Sequence, residues 1–111
     1  MKVAVVGSRS IKRLNLGDYM PAGVTGIISG GAVGVDTLAA EYAREAGIPL
    51  TEFRPDYERY GRSAPLRRNS RIVAAADVVL AFWDGKSRGT MDTVRKARAA
   101  GKPCTVIRIE R

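Results

Sequence analysis

The residues best suited to chemistry gather in four short stretches. The first is Ile28–Asp36, ISGGAVGVD. Gly30, Gly31 and Gly34 let the backbone turn tightly and let a ligand approach main-chain N–H groups. Ser29 adds a hydroxyl. A helix following the turn would aim its positive dipole end at the same guest, which suits an anion and above all a phosphate. The second stretch, Gly7-Ser8-Arg9-Ser10, offers hydroxyls and a guanidinium. The third, Arg68-Asn69, offers a guanidinium fork and an amide. The fourth, Asp84–Thr90, contains Ser87, Gly89 and Thr90. The chain has no histidine and one cysteine, Cys104. Ser-His-Asp and Cys-His catalysis are therefore absent, as are Cys-rich metal sites and intrachain disulfides. No metal and no separate cofactor are expected.

These stretches need elements to hold them. Lys2–Val6 is a β-branched run suited to a strand buried on both faces. Thr25–Ser29, Leu50–Phe53, Asp77–Trp83 and Cys104–Ile109 read as four more strands. Between them, Val35, Leu38, Ala39, Tyr42, Ala43 and Ala46 fall at helical spacing, and Gly47 stops that helix. Asp36 sits in its first turn, where it is expected to balance the dipole. The functional alternative is that it orders the glycine loop or holds a ligand hydroxyl. A second helix starts near Pro65, with Ser63 as its expected cap, and turns Leu66, Ile72, Val73 and Ala76 inward. Asn69 lies beside that apolar stripe and so needs a hydrogen-bond partner. A third helix follows Ser87, with Asp92 in its first turn. Ile11–Ala22 is the least regular part, where Ile11, Leu14 and Leu16 are expected to face the core from a short helix. Arg54–Ala64 is a long, basic connection. Its Tyr57 and Tyr60 are expected to pack on the rim, with base stacking as the alternative. Cys104 is expected to be a small buried hydrophobe.

Strands alternating with amphipathic helices make an α/β protein, a three-layer Rossmann-like domain with a mostly parallel sheet. The expected strand order is 3-2-1-4-5, and the whole chain, 1–111, is one domain. In such a sheet ligands bind at the C-terminal strand ends near the switch point. The Gly7, Ser29–Gly34 and Asp84–Thr90 turns would all meet there. The dinucleotide fingerprint GxGxxG is absent after the first strand, as is the P-loop pattern, so neither a classical dehydrogenase nor a P-loop ATPase is expected. Nineteen basic against eleven acidic residues give a net charge of +8, which favours anionic partners. The start, MKVAVVGS, resembles neither a signal peptide nor a membrane span. A cytoplasmic location with no membrane partner is expected.

GSRS at 7–10, SGGAVGVD at 29–36, APLRRN at 64–69 and DVVLAFWDGKSRGT at 77–90 occur in that order. Together they closely resemble the YspA/YpsA-related branch of the SLOG superfamily. That superfamily also holds DprA and the LOG phosphoribohydrolases. The resemblance implies a Rossmann-like fold and a pocket for a nucleotide or nucleotide-derived ligand. Its lining would come from Gly7, Ser8, Arg9, Ser29, Gly30, Gly31, Gly34, Asp36, Arg68, Asn69, Asp84, Ser87, Gly89 and Thr90. It also implies a possible homo-oligomer.

Two further functions follow from the same resemblance. LOG enzymes cleave an N-glycosidic bond with an arginine and a PGGxGTxxE motif. Arg68 matches that arginine in place and Gly89-Thr90 match the GT, but Thr93 stands where the glutamate would be. Arg68 with Asp92 would be the catalytic pair if the chain is such an enzyme. DprA-like proteins bind single-stranded DNA, and the charge of this chain suits phosphate neutralisation. Binding of a nucleotide-derived ligand, as a sensor, is the leading expectation. Hydrolysis and nucleic-acid binding are the alternatives.

Overall fold

A computed structural model describes residues 1–110. Five strands form one sheet: β1 (Lys2–Gly7), β2 (Gly26–Ser29), β3 (Leu50–Glu52), β4 (Val78–Trp83) and β5 (Cys104–Arg108). Four helices accompany them: α1 (Val35–Ala46), α2 (Tyr57–Tyr60), α3 (Ala64–Ala75) and α4 (Arg88–Ala99). The strand order is β3-β2-β1-β4-β5. Every pairing is parallel, with Val3 opposite Ile27 and Val78, and Leu80 opposite Thr105. The expected Rossmann-like architecture and strand order are thus the observed ones.

The period of two along β1, β2 and β4 sorts their side chains into two cores. Val3, Val5, Ile27, Leu80 and Phe82 face one side, where α1 supplies Val35, Ala39 and Ala43. Ala4, Val6, Ile28, Val79 and Ala81 face the other, where α3 and α4 supply Ile72, Val73, Val94 and Ala97. Small strand residues on the second face let two helices sit close to the sheet. No helix of the structure is long and apolar enough to cross a membrane.

Three local expectations are corrected. Residues 11–22 form no α-helix; only a 3-10 turn, Leu16–Asp18, interrupts an irregular path. Ile11 and Leu16 are nonetheless buried, and the Tyr19 ring meets Phe82 edge-on at 5.2 Å. This segment covers the part of the first sheet face that α1 leaves open. Ser63 does not cap α3. A 3-10 turn, Gly61–Ser63, runs directly into the helix and gives Ser63 helical dihedrals. Its hydroxyl donates back to the Tyr60 carbonyl (2.9 Å) and accepts from Arg67 Nε (3.2 Å). Cys104 is only partly buried, because β5 is an edge strand.

Candidate functional site

β1 and β4 end side by side at the middle of the sheet, with Gly7 opposite Phe82. The chain leaving each strand is tied to the other. Ser8, fully buried, donates its N–H to the Phe82 carbonyl (3.0 Å), and its Oγ accepts from the Asp84 N–H (3.1 Å). Ser10 Oγ donates to Asp84 Oδ2 (2.7 Å). Asp84 Oδ1 accepts from the N–H groups of Lys86 (2.8 Å) and Ser87 (2.9 Å). The Ser10 bond, followed by those two amides, holds the Asp84 carboxyl well below the ordinary carboxylate range. Asp84 is therefore an ionised brace between two loops and not a proton donor at neutral pH. Ser87 then caps α4, accepting from the Thr90 N–H (3.3 Å).

The glycine turn after β2 is organised from beneath. Asp36 is buried, and its Oδ2 accepts from the Ala32 N–H (3.0 Å). Its main role is thus to order the glycine loop, rather than the dipole balance expected of it. Gly34 has φ of +79°, and a Cβ there would lie 2.6 Å from the Ser8 and Arg9 carbonyl oxygens. Only glycine lets the first and second loops pack backbone to backbone at that point. No side chain caps α1 at Gly34.

α3 delivers Arg68 to this turn. Its Nη1 donates to the Gly30 carbonyl (2.8 Å) and its Nε to Asn69 Oδ1 (3.0 Å). Asn69 Nδ2 in turn donates to Asp92 Oδ2 (3.1 Å) and to the Gly89 carbonyl (3.4 Å). The partner that buried Asn69 required is therefore α4. A Cβ on Gly30 would press into the Arg68 guanidinium and stand 3.0 Å from Asp36 Oδ2. Arg68 and Asp36 thus both crowd Gly30, where only a residue without a side chain fits. Burial pushes Asp36 up, against the Ala32 hydrogen bond and the charge of Arg68. Burial likewise pushes Arg68 down, against the pull of Asp36, and the nearby Arg9 cation adds repulsion. Both shifts say the same thing: each charge loses more hydration than its partner restores.

These groups surround a cleft of about 400 Å³ at the C-terminal edge of the sheet. Gly7, Arg9, Gly30, Asp36, Arg68, Asn69, Asp84, Ser87, Gly89 and Thr90 line it, as do Ser10, Pro65, Leu66, Ile72 and Thr93. Ser8, Ser29 and Gly34 are buried behind its wall, and Gly31 lies outside it against Arg54. Asp92 does not line it either. Its carboxylate is taken by Lys96 Nζ (2.7 Å) and Asn69, while buried Thr93 faces the cleft. The sequence reading overlooked Arg54, whose Nη1 donates to the Gly31 carbonyl (3.1 Å). A basic residue directly after β3 was the available signal. Among the described residues, no group of three or more Cys, Asp or Glu is placed to share a metal ion.

A parallel Rossmann-like sheet with a cleft at its switch point is the class of protein that fold and site define. The family described as YAcAr, the YspA, cpYpsA-related SLOG family, matches residues 19–60, which run from the Leu16–Asp18 turn through the glycine turn to α2. The Gene 61 protein of Mycobacterium phage D29 is 37% identical over 116 residues, covering 92% of each chain. The chain belongs to the YspA, cpYpsA-related SLOG family. No solved structure gives a significant match.

Proposed function

We propose that this chain binds a nucleotide or a nucleotide-derived phosphorylated ligand in the cleft between the β1, β2 and β4 loops. One observation carries the reading: Arg9 and Arg68 bring two cations to the same cleft, and Arg68 is pinned there by Gly30 and Asn69. Like charges held together cost free energy unless an anion joins them. A phosphoryl group would do so, and guanidinium forks match its geometry. Arg9 is exposed and makes no hydrogen bond through its side chain among the described residues, so its donors are open to a ligand. Leu66, Pro65 and Ile72 supply an apolar wall on which a base or sugar could rest. Family membership supports the nucleotide class.

Binding has more support than hydrolysis. A carboxylate must stand near the sugar to stabilise an oxocarbenium-like state. Asp92 is committed to Lys96 and Asn69, Asp84 to three donors, and Asp36 to the Ala32 N–H beside Arg68. Thr93 cannot replace a carboxylate.

Native mass spectrometry of freshly purified protein, with thermal shifts across a nucleotide panel, tests the reading. A retained nucleotide, or a shift lost in Arg9→Ala, is expected. The loss should be at least about tenfold in affinity, the worth of a charge-assisted hydrogen bond. Arg9 is exposed, so its removal should leave the unliganded melting temperature nearly unchanged. No retained ligand and no shift with any nucleotide would overturn the reading.

A further inference from the structure

A second cleft, of about 270 Å³, opens on the other side of Arg68. It is walled by the chain after β3, by α2 and by the outer face of α3. Arg54, Arg67, Arg68 and Arg71 line it, against a single carboxylate, Asp56. That carboxylate caps α2, accepting from the Arg59 N–H (3.1 Å). Helix α3 itself, APLRRNSRIVAA, has no acidic residue. Arg67 and Arg71 stand one helical turn apart, where like charges repel.

Among the described residues, neither of those two arginines is in an ion pair. Each lies over an aromatic ring instead: Arg67 over Tyr60, 4.6 Å from the centroid, and Arg71 over Phe53, 4.7 Å from the centroid. Stacking fixes a guanidinium and shields one face of it while leaving its N–H edge free to donate. Arg67 uses one donor on Ser63 Oγ (3.2 Å). Arg54 is held by Glu52 (3.3 Å) and by the Gly31 carbonyl. A set of oriented, weakly neutralised guanidinium groups is an arrangement for an anion with several oxygens. Arg68 lines both clefts, so the two adjoin across its side chain.

We propose that the second cleft is a subsite for a second phosphoryl group of the same ligand, held by Arg67 and Arg71. The ligand class is then a nucleotide with more than one phosphoryl group, lying across Arg68. This subsite rests on the nucleotide reading of the first cleft, and the two can fail separately.

The test is calorimetric titration of the whole chain with three kinds of probe: nucleoside 5′-monophosphates, 5′-triphosphates and 3′,5′-bisphosphates. At least one multiply phosphorylated probe should bind about tenfold or more tightly than its monophosphate. The double variant Arg67→Gln/Arg71→Gln should remove that gain and leave monophosphate affinity unchanged. Both side chains are exposed, so the variant should fold. Arg44→Gln/Arg95→Gln, which removes the same charge from exposed positions elsewhere, should keep the gain. Monophosphate binding with no gain from further phosphoryl groups overturns the subsite alone. Equal loss in both double variants also overturns it, because net charge then explains the gain. No binding of any probe overturns the first cleft as well. A ten-residue oligothymidylate that needs Arg67 and Arg71, while no nucleotide gains, would replace the subsite with a single-strand contact.

Discussion

Asp36 is the residue whose surroundings differ most from its sequence context. It looks like a first-turn acid, yet it is buried beneath the glycine loop, next to Arg68. Its folded pKa lies above the ordinary carboxylate value of ~3.9. The native state then binds more protons than the unfolded state between those two values. Stability must therefore fall as pH rises from ~3.9 through the folded pKa. Asp84 has the opposite sign: its folded pKa is depressed, so its contribution is present above the ordinary value and lost as pH falls. Asp36→Asn separates the two. Its amide oxygen can still accept from Ala32, so the fold should persist. Urea unfolding from pH 3 to 7 should lose the decline due to Asp36 and keep the acid-side loss due to Asp84. An unchanged profile would contradict this assignment.

At the scale of elements, α3 is fixed at both ends by lysines of other segments. Lys96 Nζ, on α4, donates to the Leu66 carbonyl (2.7 Å). Lys102, beyond α4, donates to the carbonyls of Val73 (2.6 Å), Ala74 (3.0 Å) and Ala76 (2.7 Å). A cation at a helix C-terminus also meets the negative end of the dipole. Lys102→Met keeps the aliphatic stem and removes these bonds. It should destabilise by about 1–3 kcal/mol in denaturant unfolding. Because α3 carries Arg68, a fraying α3 should also weaken ligand binding. The three long helices were legible, whereas the short α2 lies within the stretch 54–64 that reads as a connection. Three apolar stripes at 3.6-residue spacing, with Gly47 and Pro65 as punctuation, mark α1, α3 and α4. The lysine ties were not, since a lysine in sequence looks the same whether solvated or holding a helix end.

At the scale of the molecule, one sheet face has two helices and the other has α1 plus an irregular segment. That asymmetry makes the segment after β1 part of the core. Leu16, 3% exposed, packs with Val5, Phe82 and α1. Leu16→Ala should cost about 2–5 kcal/mol, as in a core and not as in a surface loop. A loss under about 0.5 kcal/mol, the usual range for a surface site, would show the segment to be dispensable. The same asymmetry leaves the α3 face free to carry arginines, because its inner stripe already fills the core.

The sequence by itself determined the parallel sheet, the strand order and the turns that meet at its C-terminal edge. Alternating apolar strands and amphipathic helices permit few right-handed arrangements, and strand ends then bring their loops together. It marked Arg9, Arg68, Asn69 and Asp84 by residue type and position. Only the tertiary structure decided how they are used. Charged side chains acquire their roles from the neighbours that packing gives them, some one helical turn away and some distant in the chain. Asp36 became a loop brace by meeting Ala32 and Arg68. Asp92 left the cleft by pairing with Lys96 and Asn69. Ser8 and Ser29 went behind the wall, and Arg67 and Arg71 stacked on Tyr60 and Phe53. Periodicity sets which face of an element is apolar, but a polar side chain's partner is set by packing between elements, which no local pattern encodes.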